Sequence, residues 1–438
     1  MLGADDNSSR AATTNDGAEM HSWMADLFPI CRSLSGDGVR ETLRYLQELL
    51  PGLEVHEVAS GTKVLDWEVP NEWNIRDAFI ADEAGRRLVD FGEHNLHVVG
   101  YSEPIDTVLD RAALEPHLHS LAVQSDAIPY VTSYYRRTWG FCLSQRQRDA
   151  LGPGPFRVVI DADLGPGHLT YGELVIPGET TDEVLLSTNV CHPSMANNEL
   201  SGPVVTTALG RWLAALPNRR FTYRLLFLPE TIGSIVYLAQ HLEHLREHVK
   251  AGWVVVCVGD DRAYSYLPSR RGGTLADRVS LRALGELKQG FDTYTFLDRG
   301  SDERQWCSPG AELPVCSVMR SMYATYPEYH TSLDDLTVVT PDGLQGAFDV
   351  LRRCIGLVEE NVRWRTMIAG EPQLGRRGLY PTTSFAGSHD PVRTMVDVLA
   401  YCDGDHDVSD LAQRVGAPEN VVLEILERLA DAGLIEQV

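Results

Sequence analysis

Lysine is nearly missing from this chain. Lys63, Lys250 and Lys288 stand alone, and arginine carries almost all of the positive charge. Acidic side chains outnumber basic ones, for a formal net charge of −24. That balance excludes a nucleic-acid binder working through phosphate neutralisation, and it excludes attraction to an anionic membrane. Because arginine replaces lysine throughout, no arginine is taken as a site on its charge alone. Paired cysteines are also missing. Cys31, Cys142, Cys191, Cys257, Cys307, Cys316, Cys354 and Cys402 include no CxxC spacing, and several lie in apolar runs such as "WVVVCVG". This fits buried thiols in a reducing compartment rather than a disulfide framework. No apolar run reaches transmembrane length, and the opening "MLGADDNSSRAATTNDGAEM" has no apolar signal core. The expectations are a cytoplasmic protein, no membrane partner, and a disordered start over residues 1–20.

What is present divides by texture. The chain of 438 residues exceeds one average domain. Residues 21–50 carry apolar positions at helical spacing. From about residue 56 to 150 the pattern alternates, is rich in Trp and Val, and is punctuated by Gly and Pro, which reads as a mostly β module. "FRVVIDADLGPGHLTYGELVIPG" then reads as a hairpin. Beyond it, strands alternate with helices: "DEVLLSTNV" before "SGPVVTTALGRWLAAL", "RFTYRLLFLPE" before "GSIVYLAQHLEHLREHV", then "GWVVVCVGDD", "LPVCSVM" and a long closing helix near 340–364. Such alternation implies a mainly parallel sheet covered on both faces, with sites gathered at the carboxyl ends of its strands. The last stretch, "VSDLAQRVGAPENVVLEILERLADAGLIEQV", reads as helix-turn-helix of winged-helix type, opened by a Ser409 cap and broken at Gly416-Ala417-Pro418. Residues 401–438 hold nine acidic side chains and only Arg414 and Arg428 as basic ones. Phosphate would repel that surface, so the segment is read as a packing or dimerising module, with no nucleic-acid partner.

The residues just past each strand carry the chemistry. His192 follows "VLLSTNV", Glu230 follows "YRLLFL", Asp260 follows "VVVCV", and Asp302 lies in "LDRGSDERQ". His330 lies in the loop "SMYATYPEYHTSLDDL". Taken singly, each has a plainer role: a loop histidine is usually structural, and an aspartate after a strand often caps a helix. Together, imidazoles and carboxylates converging on one sheet edge point to zinc chemistry.

The order His192, the Ser201-Gly202 helix start, "PETIGS", "GDD", "GSDERQ" and "YHTSLD" resembles the zinc aminopeptidases and glutaminyl cyclases of the phosphorylase/hydrolase-like fold. "LFPICRSLSGDGVRETL", "IPYVTSYYRRTWGFCLS" and "YPEYHTSLDDL" resemble more closely an aminopeptidase-like group with a β domain inserted early and a C-terminal winged helix. The resemblance implies an α/β zinc-exopeptidase core over residues 21–55 and 151–370, with a mixed, mainly parallel sheet. It further implies an inserted β domain over 56–150 and a winged-helix domain over 371–438. It implies His192, Asp260 and His330 as metal ligands, Glu230 as general base and Asp302 as the site aspartate. Asn198 falls where the family has a metal-bridging Asp, and Thr231 where two-zinc enzymes have a ligand Glu. A neutral amide cannot bridge two cations, so one zinc ion is expected, with Glu199 either a substitute donor or a solvated carboxylate at the helix start. Arg304, Arg320, Tyr323 and Tyr326 are expected substrate contacts. Tyr134, Tyr135, Arg136, Arg137 and Trp139 of "YYRRTWG" are read as a pocket wall or a domain seam.

The expected activity is hydrolysis of an amide or peptide bond in a small substrate, in a biosynthetic setting. Two alternatives stay open: acyl transfer or cyclisation of the glutaminyl-cyclase kind, and a metal-free binding or scaffold protein. Self-association through the closing helix or the winged helix also stays open.

Overall fold

A computed structural model describes residues 16–379 and 390–438. The chain divides into two compact units, Met1–Cys354 and Ile355–Val438. The first is built on an eight-stranded sheet. From one edge to the other its strands are Glu54–Ala59, His168–Ile176, Thr222–Leu228, Glu183–Asn189, Val249–Val254, Val315–Met319, Ser265–Leu267 and Asp292–Thr293. The four central strands run parallel. Their neighbours on either side join antiparallel, which makes the sheet mixed.

Glu183–Asn189 is buried at every position, as a central parallel strand covered on both faces requires. The helices Ser201–Ala215 and Ile232–His248 each follow a parallel strand of the sheet, so each opens at its carboxyl edge. Gly202 sits where a side chain would meet the Val255 carbonyl and the Thr188 hydroxyl, which lets the helix start lie against the neighbouring strand.

The hairpin expected from Phe156 to Ile176 is not one. Phe156–Gly165 pairs with Glu72–Ala81 and Ile105–Leu109, while His168–Ile176 pairs with Glu54–Ala59 and Thr222–Leu228. Alternation identifies a strand but not its partner; here the two strands diverge into different sheets. Phe156–Gly165 thereby completes a four-stranded sheet with Arg87–Asp90, Glu72–Ala81 and Ile105–Leu109. The two sheets share one apolar core, including Trp73, Phe141 and Ile160 with Leu226, Val254 and Trp306.

The helix Asp16–Leu27 buries Met20, Trp23, Met24 and Leu27, so order begins before residue 20. The expected disorder of residues 1–15 lies outside the described residues. The described cysteines form no disulfide, and all but Cys31 are buried. No helix among the described residues is long and apolar enough to cross a membrane.

In the second unit, Arg363–Thr366 pairs with Asp403–Asp407 and Ile435–Gln437. The helices Asp390–Ala400, Val408–Val415 and Glu419–Asp431 enclose a core of Met395, Val398, Leu411, Val422, Leu426 and Leu434. Gly416 closes Val408–Val415 in the left-handed region, as the Gly-Ala-Pro break suggests. The cap of that helix is Asp407, not Ser409: the Asp407 carboxylate accepts the Asp410 amide. Ser409 lies inside the first turn, where its hydroxyl donates to Glu419.

Candidate active site

His192 is placed by the chain on both sides of it. The strand Glu183–Asn189 ends, and a π turn over Ala196–Leu200 leads into the helix Ser201–Ala215. That turn is buried throughout, Glu199 included. The expectation of a solvated Glu199 is therefore wrong, because the wider turn rotates its side chain inward. One Glu199 oxygen accepts the backbone amides of Cys191 and His192. The other lies 2.6 Å from His192 Nδ1 and accepts its proton. A carboxylate fixed on Nδ1 sets the tautomer and leaves Nε2 as the free nitrogen. Both Glu199 oxygens are spent in this way.

Behind this pair lies Arg32, 1% exposed, whose Nε donates to the His192 carbonyl at 3.1 Å. Burial lowers the Arg32 pKa, opposed first by the charge of Glu199. Burial also works against a charged His192, but the adjoining Cys191 and Glu199 raise its pKa well above the usual histidine value. The Cys191 thiol is itself pushed up to about 12 by burial.

His192 Nε2 faces Glu230 Oε2 at 3.7 Å. Glu230 Oε1 accepts the Ser301 hydroxyl at 2.8 Å. Burial raises the Glu230 pKa, partly offset by His192. The next residue, Thr231, holds φ = 66°, a strained region for a β-branched side chain. Asp302 secures that bend: its Oδ1 accepts the Thr231 amide at 2.7 Å and the Ser234 hydroxyl at 2.9 Å. Its Oδ2 has no partner, and burial with the nearby Glu230 charge pushes its pKa up to about 8. Asp302 thus holds the backbone that carries Glu230.

His330 also sits at positive φ, 55°. Its ring stacks on Tyr329 at 3.9 Å and lies 5.4 Å from the His192 ring, with Tyr130 against both imidazoles. Its imidazole makes no hydrogen bond, and burial followed by the His192 charge lowers its pKa to about 3. It is neutral at physiological pH.

Asp260 is placed differently from the expectation. Its carboxylate accepts from Asn197 Nδ2, Arg262 N, Ser321 N and Ser321 Oγ, between 2.8 and 3.0 Å. Those partners reach it from the π turn, from its own bend and from the end of Val315–Met319, and they occupy both oxygens. The one set of three donor atoms lying within 4.8 Å of one another among the described residues is Cys191, His192 and Glu199. His192, Asp260 and His330 form no such set. Arg320 is also withdrawn: it is buried, donates to the Asp260 carbonyl and lies over Tyr264. The hydroxyls of Tyr323 and Tyr326 contact Glu303 and Asp334. Of the four expected substrate contacts, only Arg304 is exposed, with Nη2 on Thr231 Oγ1 at 3.0 Å.

A cavity of about 240 Å³ opens onto His192, Glu230 and Thr231, with Leu34, Trp67 and Tyr134 among its walls. Several contributors escape sequence reasoning. Ser301 had one signal, its place directly before Asp302. Asp334, four residues past His330, accepts the Asn197 and Asn198 amides at 2.7 and 2.9 Å and so holds the π turn. Asp334→Ala leaves those two buried donors unmet, and the larger unit should lose about 3 kcal/mol, measured by calorimetric unfolding. Arg32 and Tyr130 carried no local signal.

The family profile described as a domain of unknown function, DUF4910, matches residues 21–361, and a winged helix-turn-helix profile matches 362–437. A Clostridium acetobutylicum protein, provisionally named as a polysaccharide biosynthesis protein with an aminopeptidase-like domain, is 41% identical over 92% of this chain and 93% of its own. A crystal structure of a provisionally named peptidase from Clostridium acetobutylicum superposes with a TM-score of 0.84, at 39% identity over 97% of each chain. BSAP, a zinc aminopeptidase from Bacillus subtilis, superposes with a TM-score of 0.57, at 12% identity over 78% of this chain and 95% of that one, a likeness of fold. The chain belongs to the DUF4910 family of aminopeptidase-like proteins with a C-terminal winged helix.

Proposed function

We propose that the protein is a metal-dependent hydrolase of an amide or peptide bond in a small substrate used in polysaccharide assembly. Its hydrolase character follows from the aminopeptidase-like family. The metal and the mechanism rest on one observation: Glu199 turns His192 Nε2 outward, to face the Glu230 carboxylate across 3.7 Å at the cavity wall. The Clostridium acetobutylicum relative's name supports the polysaccharide setting.

The donors partly fit a zinc ion. His192 Nε2 and the neutral, unbonded His330 imidazole have the right chemistry, and Glu199 is the carboxylate expected behind a ligand histidine. Asp260 does not fit, because its oxygens are already engaged. Asn198 gives no charge for a second ion. His192 and His330 would hold one ion, leaving positions for water and substrate. A bound zinc supplies a water of lowered pKa and polarises the carbonyl. Glu230 takes a proton from the attacking water as its oxygen bonds to the carbonyl carbon, then gives that proton to the amide nitrogen as the C–N bond breaks. Ser301 holds one Glu230 oxygen so that the other faces the reaction. Leu34 and Ile232 keep that carboxylate in apolar surroundings, which brings its pKa nearer to neutrality and suits a base.

The test is metal content after purification without chelator. About one equivalent of zinc is expected, with amidase activity lost on chelation and restored by zinc. Less than about 0.1 equivalent, unrestored by zinc, overturns the proposal in favour of a metal-free binding protein. Metal affinity should also rise with pH, because the His192 proton must leave before Nε2 can ligate. A flat profile by isothermal calorimetry between pH about 5 and 8 argues against His192 as ligand.

A further inference from the structure

A second pocket shares walls with the cavity beside His192. Tyr134 and Tyr135 line that cavity and also line the second pocket, of about 420 Å³, which Glu68, Val69, Asn71 and Arg136 share. Where the two meet, two large rings stay in solvent. Trp67 is 41% exposed and Tyr135 56%, with ring centroids 5.9 Å apart at 63°. Both are fixed. Trp67 stands on a short hairpin against Lys63–Val64, and the Tyr135 hydroxyl donates to the Glu68 carbonyl at 3.0 Å. Beside them Arg136 is exposed, and its guanidinium makes no ion pair or hydrogen bond, whereas Arg137 pairs with Glu103.

Exposed aromatic faces next to unspent polar groups suit a ligand that is itself two-faced. A pyranose ring has apolar C–H faces that lie on an indole or phenol and hydroxyl edges that take up donors and acceptors. A free guanidinium adds charge-assisted donors, which favour oxygen-rich rings. We propose that Trp67, Tyr135 and Arg136 form a distal subsite for a glycosyl ring of the substrate, which sets the substrate's amide at Glu230 and His192. This deepens the hydrolase reading and rests on it.

The test is saturation-transfer NMR on the full chain, with methyl β-N-acetylglucosaminide and methyl β-glucuronide as probes and trialanine as control. Transfer to the sugar ring protons is expected in the wild type and in Glu230→Gln, and not to trialanine. Trp67→Ala and Tyr135→Ala should weaken sugar binding about tenfold each, with Arg136→Gln acting mainly on the glucuronide. Absence of transfer to both sugars, transfer unaffected by the Trp67 and Tyr135 variants, or binding of trialanine alone overturns the subsite. The readout does not depend on turnover. A protein that binds sugar through Trp67 but cleaves no amide sinks the hydrolase reading alone. One that cleaves amides but binds no sugar sinks the subsite alone.

Discussion

Glu230→Gln is expected to lower turnover by about 10²–10⁴-fold on any amide that the wild-type protein cleaves. The amide keeps the shape of the side chain and can still accept the Ser301 hydroxyl, so the Thr231 bend and the Asp302 contacts should persist. What it cannot do is take a proton. Metal content and circular dichroism should match the wild type. The pH profile gives an independent check. The base acts only when ionised, so kcat/KM should fall as pH drops through the Glu230 pKa. Burial raises that value, which places the acid limb above the ordinary glutamate range near about 4.3. With zinc held saturating at every pH, the residual rate of Glu230→Gln should lack this limb. Full activity in the variant, or an unchanged acid limb, removes Glu230 from the role.

Glu199→Ala should be the most damaging change to the scaffold. Glu199 is fully buried and accepts the Cys191 and His192 amides along with His192 Nδ1. It is also the first charge that offsets the burial of Arg32. Removing it leaves buried donors unmet and a buried cation uncompensated, at a cost of about 3–5 kcal/mol in the larger unit. The orienting carboxylate also disappears, so metal affinity should fall about 10–100-fold even where the protein folds. Scanning calorimetry and zinc titration measure the two effects. Arg32→Met with Glu199→Gln tests the electrostatic part, because the pair should cost less than the sum of the single changes. A loss below about 0.5 kcal/mol in Glu199→Ala would place Glu199 among ordinary surface side chains.

The architecture was legible because its signals are local. The Val184-Leu185-Leu186 run reads as a buried strand, and Ser201–Ala215 carries its apolar positions through the following helix. The approach of His192 to Glu230 was legible because both follow central strands of one sheet. Hydrogen-bond partners were not legible. Asp260 looks like a ligand by its place after a strand, yet Asn197 and Ser321, about sixty residues away on either side, have taken its oxygens. Glu199 looks like a helix-start acid, and only the π turn shows that it faces inward. Tyr323 and Tyr326 have the composition of a binding surface, but their hydroxyls meet buried acids. In each case residue type announced chemistry, and a contact distant in sequence decided its use.

The web around Asp260 and Asp334 bears on how the fold would stand without the metal proposed for it. Three loops at the sheet edge, the π turn, the Gly259–Asp260 bend and the segment after Met319, are tied together by backbone amides, the Asn197 amide, the Ser321 hydroxyl, the Asp260 and Asp334 carboxylates and the Arg320 guanidinium. The protein's own side chains and backbone make every one of these joins, the Arg320 cation among them. Under the proposed function, folding would not depend on ion capture, apart from the mass-action gain of a ligand that binds only the native form. On that proposal the protein would lose the ion by dilution, wait intact and be recharged without refolding, and the surrounding free-metal level would set how much of the population is switched on.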